Sequence, residues 1–144
     1  MDEMVTSYFS LHGKQVMSLG AVLDESLTAE GCHRYVKTIY IGYEIDGEMV
    51  AALYGHSDHI ELALALAEDD PDARLKDASH LTWRTLPVAI EVRSVTDALA
   101  ANELARRAVK RILSGTHSVH RENEHFARSR EGRRGSASEP GDAP

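Results

Sequence analysis

Cysteine occurs once in the 144 residues, at Cys32, so the chain has no internal disulfide and no Cys-x-x-Cys pair for zinc. No apolar run approaches the length of a membrane span, and no apolar leader segment follows Met1. Glycine-rich phosphate-binding fingerprints and the Gly-x-Ser-x-Gly elbow of acyl-transfer enzymes are also missing. These absences predict a cytoplasmic protein with one core and no membrane partner.

Positive charge is scarce as well, with 16 Lys and Arg against 23 Asp and Glu and a net charge of −7. The acidic excess lies in residues 1–113, because the remaining residues carry five charges of each sign. Binding to duplex nucleic acid requires Lys and Arg to neutralise phosphates, so nucleic acid is not the expected partner. A basic cluster does occur near residue 110, where cations also complement a helix C-terminus. Its members are Arg106, Arg107, Lys110 and Arg111.

Residues 1–113 are predicted to form a single α+β domain, and residues 114–144 a disordered C-terminal tail. Apolar periodicity stops near Ser114, and the Gly, Ser, Arg, Glu and Pro that follow bury too little apolar area to offset the entropy of ordering. Apolar residues at spacings of three and four predict a helix over residues 13–29. A second helix, capped by Ser94, is predicted to end near Leu113.

Between these helices, side-chain alternation predicts three consecutive antiparallel strands. The first covers residues 35–45 and leads into Asp46-Gly47, a pair that tolerates the positive φ angles of a type I′ turn. The second and third cover residues 48–54 and 60–66.

A fourth strand is predicted over residues 86–92, after a short helical turn that begins at Pro71. The expected order is therefore α-β-β-β-β-α, with a four-stranded antiparallel sheet. One face of that sheet is more apolar than a solvated face should be. A helix of the same chain, a second subunit or a ligand would cover it, and the helix is the preferred interpretation.

The segment Val-Lys-Thr-Ile-Tyr-Ile-Gly-Tyr, residues 36–43, resembles the signature strand of a small bacterial domain, family 5655 of the domains of unknown function. Residues 8–14, the hairpin, the strand over residues 60–66, Arg74-Leu75 and the Ser-capped last helix are similar to that family too. The resemblance covers residues 8–113 and implies a compact α+β module with no assigned activity. A more distant resemblance is to the YdhG and YjbR-like group. The chain departs from the family at Trp83-Arg84, where the family tends to place Trp-Gly.

Six residues are candidates for ligand binding. Lys37 interrupts an apolar strand face next to Thr38, where its ammonium could bind an anion or carboxylate, or its stem could cover apolar surface at a strand end. The aromatic candidates could line a shallow pocket, although aromatic residues on strands usually pack in the core. They are Tyr40, Tyr43, Tyr54 and Trp83.

Other arrangements of reactive residues are weaker. His56 and His59 share a turn, but a metal would need further ligands, and Cys32-His33 would point to opposite faces of a strand. Asp72 and Glu91 with Arg93 imitate the spacing of a nuclease core, yet Arg does not release a proton at neutral pH. We therefore predict no metal, no cofactor and no catalytic residues.

The sequence favours a non-catalytic binding or interaction domain. It would contact another protein or a second copy of itself through the apolar sheet face, or hold a small acidic ligand near Lys37. The alternatives are a hydrolytic or nuclease-related enzyme, which needs at least three titratable groups converging in a cleft, and an accessory nucleic-acid-binding domain.

Overall fold

The structure, a computed structural model, describes residues 2–81 and 83–115. Within these residues the chain forms three helices and six strands, and the strands join in one antiparallel sheet of order β1-β2-β3-β4-β6-β5. The predicted α+β class is confirmed, but the predicted sheet of four strands was too small. The elements are α1 Glu3–Phe9, α2 Lys14–Ala29, β1 His33–Val36, β2 Ile41–Ile45, β3 Glu48–Gly55, β4 Ile60–Leu64, β5 Lys76–Asp77, β6 Val88–Val92 and α3 Val95–Leu113.

The first predicted strand is a hairpin rather than one continuous strand. β1 and β2 pair antiparallel with Val36 opposite Ile41, and the Lys37 N–H donates to the Tyr40 carbonyl at 2.8 Å to close the turn. The prediction was wrong because residues 37–40 contain none of the Gly, Pro, Asn or Asp that usually mark a turn. The hairpin also places Tyr35 on the sheet face of Gly42, opposite to the face on which the continuous strand would have put it.

The predicted turn at Asp46-Gly47 is present between β2 and β3. Asp46 has φ 53° and Gly47 has φ 78°, the two consecutive positive angles that a type I′ turn requires. This turn pairs Ile45 with Glu48 and Glu44 with Met49, and the register between β2 and β3 then shifts by one residue at Tyr43.

The two predicted helices are present, and Ser94 caps α3 by accepting from the Asp97 N–H at 3.1 Å. Two elements were not predicted, the seven-residue α1 and the two-residue β5. The helical turn expected after Pro71 is replaced by a loop in which Asp72 Oδ1 accepts from the Arg74 N–H at 2.9 Å. The disordered tail was predicted over residues 114–144, and all of it after Gly115 lies outside the described residues.

The helices α2 and α3 form one layer, because they pack against each other and against the central strands. Tyr43 on β2 donates from its hydroxyl to Asp24 on α2, which identifies the Tyr43 face as the helix-covered face. Buried aliphatic side chains fill the space between sheet and helices. On the sheet they are Ile41, Leu53, Leu62, Leu64 and Ile90, which share this face in the strand register.

The opposite sheet face is covered by other parts of the same chain, not by a helix. Its floor is a row of small residues in register across four strands, Gly42, Ala52, Ala63 and Ala89. Aromatic rings pack over this floor, since a Cβ on Gly42 would lie 2.5 Å from Cζ of Tyr35. The β1–β2 turn and the segment between β5 and β6 supply the remaining cover.

Candidate functional site

Lys37 and Thr38 lie in the β1–β2 turn and form one wall of an open depression. The other wall comes from α1 and the residues that follow it. The depression has a volume of about 510 Å³, and we call it the Lys37 depression. Its lining residues are Met4, Ser7, Tyr8, Leu11, Val36, Lys37 and Thr38.

Two contacts hold α1 in place across the turn. The Tyr8 hydroxyl donates to the Ile39 carbonyl at 2.6 Å and accepts from the Gly55 N–H at 3.0 Å. Burial raises the pKa of Tyr8, so the phenol keeps the proton that it donates. Phe9, next along α1, packs directly on Gly20 of α2. The walls of the depression are therefore joined by hydrogen bonds and by core packing.

The rim of the Lys37 depression exposes apolar side chains to an unusual extent. Leu11 is 94% exposed, Ile39 70% and Met4 59%. The Lys37 ammonium lies 5.7 Å from the centroid of the Tyr35 ring, within the range of a cation–π contact. One cation thus stands beside a cluster of apolar groups that folding has not buried.

The aromatic candidates do not join Lys37 and Thr38. The Tyr40 ring is tilted against that of Tyr54, with centroids 5.5 Å apart, and is edge-on to Trp83 at 6.2 Å. All three residues are buried. They form the cover of the small-residue face, as the core interpretation of these aromatics expected. Trp83 also lines a smaller depression of about 260 Å³ between β5 and β6, together with Leu81.

Tyr43 lies on the other face of the sheet, in a buried polar network. Its hydroxyl donates to Asp24 Oδ1 at 2.8 Å, and Arg34 donates from Nε and Nη2 to both oxygens of the same carboxylate. Burial and then the charge of Asp24 raise the pKa of Tyr43 far above its ordinary value. The hydrogen bond to Asp24 raises the pKa of Arg34. This network is structural, and it separates Tyr43 from the other candidates.

A different convergence of titratable groups appears on the small-residue face, around Glu61 of β4. Glu61 Oε1 accepts from His56 Nε2 at 2.8 Å, and Oε2 accepts from His80 Nε2 at 2.9 Å. Lys76 Nζ lies 3.3 Å from Oε2 and also contacts Glu91 on β6. We call these five residues, Glu61, His56, His80, Lys76 and Glu91, the Glu61 cluster.

The Glu61 carboxylate is ionised despite being only 7% exposed. Burial alone would raise the pKa of Glu61, but hydrogen bonds from His80, His56 and Lys76 outweigh burial and lower it to about 2. The partners are themselves partly open to solvent, with side-chain exposures of 52% for His80 and 40% for His56. The arrangement is a buried anion that orients two accessible imidazoles.

The polar network continues from the cluster to the β3–β4 turn. Arg93 reaches from Glu91 to Asp58, and Asp58 Oδ1 accepts from His59 Nδ1 at 2.7 Å. The rings of His59 and His56 stack with centroids 4.5 Å apart. Within residues 2–81 and 83–115, no group of three or more His, Cys, Asp or Glu side chains is arranged to hold a metal ion.

The Glu61 cluster was not predicted from the sequence. A signal was present, because Glu61 is a single carboxylate in a strand whose other residues are Ile, Leu and Ala. A charge in such a strand needs partners to offset its desolvation. His56 comes from the adjacent turn, but His80 lies 19 residues away in the chain and Lys76 lies on β5, so spacing in the sequence could not identify the whole set.

The groups that imitated a nuclease core are held by separate cations. Asp72 binds Arg74 at 2.6 Å, and this pairing lowers the pKa of Asp72. Glu91 is bound by Lys76 and Arg93 instead. The Cys32 thiol is equally unsuited to catalysis, because burial raises its pKa to about 11 and leaves little thiolate at neutral pH.

The arginines on α3 are used in contacts within the chain. Arg106 binds Glu30 at 3.2 Å, Arg107 binds Asp70, and Arg111 donates to the Ala65 carbonyl. These contacts tie α3 to α2 and to the loop after β4. Glu30 and Asp70 therefore already neutralise the positive charges of Arg106 and Arg107, which the phosphates of a nucleic acid would otherwise neutralise.

Comparisons with protein-family models, with curated proteins and with solved structures give no match to this chain. The class of fold rests on the structure alone, an α+β domain with an antiparallel sheet and with helices that precede and follow the sheet along the chain. The resemblance to family 5655 stays a prediction from the residues. Among the described helices, none is both long enough and apolar enough to cross a bilayer.

Proposed function

We propose that this chain is a non-catalytic binding module that holds a small acidic ligand in the Lys37 depression. The observation that carries the proposal is the position of Lys37 and Thr38 beside an exposed apolar rim. A volume of about 510 Å³ lies within the roughly 300–1,000 Å³ that is usual for small-molecule sites.

The chemistry of the walls indicates what the ligand contains. The Lys37 ammonium attracts a carboxylate as a compact charge, and the Thr38 hydroxyl can donate a hydrogen bond to the same group. Met4 and Leu11 favour an aliphatic portion, because burying their surface contributes about 25 cal/mol per Å². A carboxylate on a short alkyl chain satisfies both requirements.

The test is a titration of the full chain with octanoate, in which binding is monitored through the amide chemical shifts in NMR spectra. Octanol keeps the alkyl chain of octanoate without its charge, and acetate keeps the carboxylate without the long alkyl chain. Both serve as control probes. We expect octanoate to shift the amides of residues 4–11 and 36–38, and Lys37→Met to weaken binding by about tenfold, the equivalent of about 1.4 kcal/mol. Lys14→Met, a change of the same kind on the exposed start of α2, should leave the affinity unchanged.

Equal binding of octanol and octanoate, or full affinity in Lys37→Met, would refute a site for acidic ligands. A protein partner or a second copy would then be the better occupant of the apolar rim. Such contact cannot use the small-residue sheet face, because Ala63 at its centre is 1% exposed. A doubled mass in solution that Leu11→Ser returns to 15.9 kDa would identify self-association.

A hydrolytic enzyme is the second candidate, and the Glu61 cluster is the observation that favours it. The cluster meets the requirement of three converging titratable groups, although neither depression described above contains them. Its test is hydrolysis of aryl ester and aryl phosphate substrates by the full chain and by His80→Gln. If His80→Gln hydrolysed these substrates as fast as the wild-type chain, the Glu61 cluster would not be the source of the activity.

A further inference from the structure

The Glu61 cluster fixes which nitrogen of each imidazole carries the proton. An ionised carboxylate only accepts hydrogen bonds, so His56 and His80 must each present N–H at Nε2 to Glu61. In the neutral ring the other nitrogen, Nδ1, then keeps its lone pair. A buried carboxylate is therefore used to hold two accessible imidazoles in their Nδ1-nucleophilic form.

His80 is the better placed of the two nucleophiles. It is the more exposed, and it follows β5 on a loop, whereas His56 is stacked against His59 in a tight turn. A positive charge formed on either ring faces Glu61, at 2.8 Å from His56 Nε2 and at 2.9 Å from His80 Nε2. A charge on His56 would in addition face the imidazole of His59, whose ring centroid lies 4.5 Å away.

We propose that His80 is a phosphoryl-accepting residue that takes a phosphoryl group on Nδ1 from a small phosphoramidate or acyl phosphate. The Nδ1 lone pair forms a bond to phosphorus as the bond from phosphorus to the leaving group breaks. Ammonia leaves from zwitterionic phosphoramidate, and a carboxylate leaves from an acyl phosphate, so no further reactant is needed. The Nε2 proton stays on the ring, and Glu61 stabilises the charge that the ring gains.

Nearby charges are compatible with a phosphoryl group. Lys76, whose side chain is 42% exposed, contacts the same Glu61 oxygen that accepts from His80. The carboxylate nearest in sequence, Asp77, accepts a hydrogen bond from the Ser79 hydroxyl at 2.6 Å. Lys76 can thus attract an anionic donor. Asp77 keeps its negative charge, but one of its oxygens is occupied by the Ser79 hydroxyl.

The other described histidines provide controls within the same molecule. His12 Nδ1 faces the Tyr8 carbonyl at 3.1 Å, and His59 Nδ1 faces Asp58, so in both rings Nδ1 is the nitrogen already engaged. His33 is exposed at the start of β1, without a described carboxylate contact. The rate at which His33 is phosphorylated therefore gives the reactivity of an ordinary solvent-exposed imidazole.

The experiment treats the full wild-type chain with phosphoramidate at neutral pH and maps acid-labile, alkali-stable phosphorylation by peptide mass spectrometry. We expect His80 to react on the order of tenfold faster than His33, the low end of the effect of a carboxylate that orients a histidine. A rate at His80 equal to or below that at His33 overturns the proposal. No variant is needed for this comparison, so a folding defect cannot obscure it.

Four substitutions then assign the roles of His80 and Glu61. His80→Gln should remove the fast site, whereas His59→Gln should leave it intact. Glu61→Gln should lower the ratio of His80 to His33 labelling toward one, because an amide can donate to the imidazole and favour the wrong tautomer. Glu61→Asp, with its carboxylate kept, should restore part of the ratio. A ratio that is unchanged in a folded Glu61→Gln chain overturns the positioning role.

Discussion

The Tyr43 hydroxyl donates a 2.8 Å hydrogen bond to Asp24 Oδ1, and this bond joins β2 to α2. Arg34 on the neighbouring strand binds the same carboxylate through two nitrogens and also reaches Asp2 at the start of α1. One buried carboxylate thus connects two helices and two strands.

Tyr43→Phe should destabilise the fold by about 1.5–3 kcal/mol, because a hydrogen bond to a charged group is lost while Asp24 remains buried. Urea denaturation measures the change. A cycle with Asp24→Asn should give a coupling energy above about 0.5 kcal/mol, as expected for residues in one network. If the two substitutions changed the unfolding free energy additively, the result would contradict a stabilising hydrogen bond between these residues.

Gly20→Ala should destabilise the domain by about 1–3 kcal/mol, through overpacking against Phe9. The added Cβ would lie 2.2 Å from Cζ of Phe9, so α1 must shift away from α2. Helix propensity alone predicts the opposite sign, a gain of roughly 0.5–1 kcal/mol. Thermal denaturation decides between them, and Phe9→Leu in the Gly20→Ala background should recover part of the loss. Ser18→Ala on the exposed side of α2 is the control.

Stability should fall in acid because of Glu61. Its pKa is lowered from 4.5 to about 2 in the folded chain, so its contribution is fully present above pH 4.5 and is lost as the pH falls toward 2. The shift corresponds to about 3 kcal/mol at most. Glu61→Gln should flatten the profile of unfolding free energy between pH 6 and pH 3, whereas Glu25→Gln, at an exposed position on α2, should not. Parallel profiles for wild type and Glu61→Gln would contradict the assignment.

Ala63→Arg should unfold the domain rather than disrupt an assembly. Ala63 is 1% exposed and lies in the small-residue floor beneath the aromatic cover, so a guanidinium there would be buried without a partner. We expect a loss of about 4 kcal/mol or more, seen as loss of the circular dichroism signal and as earlier elution from a gel-filtration column. Ala29→Arg, at the exposed end of α2, should leave both signals unchanged. A folded Ala63→Arg chain would show that the face is open.

Local patterns in the sequence were sufficient for several elements. Apolar spacing predicted α2 and α3, Ser94 predicted the start of α3, and Asp46-Gly47 predicted a turn whose two positive φ angles are present. Each of these depends on neighbours within about four residues, which is the range over which such patterns act. The α1 helix was missed because seven residues carry too little periodicity to be recognised.

The candidate site was harder to predict, because its parts meet only in three dimensions. Lys37 and Thr38 were identified, but the wall that faces them comes from α1, about 30 residues earlier in the chain. Tyr40 and Tyr43 were grouped as aromatics, yet the sheet places them on opposite faces. Alternation identifies the two faces of a strand, but the unrecognised turn at residues 37–40 changed which residues share a face.

The sequence by itself determined that this is an acidic α+β domain with one cysteine, two long amphipathic helices and β-rich chain between them, because composition and periodicity are local properties of the chain. Only the tertiary structure decided what covers the second sheet face and which groups surround Glu61. Those outcomes depend on where the turn at residues 37–40 and the segment between β5 and β6 pack. Packing of that kind is settled by contacts between distant residues, through the burial of apolar surface and the pairing of a buried charge.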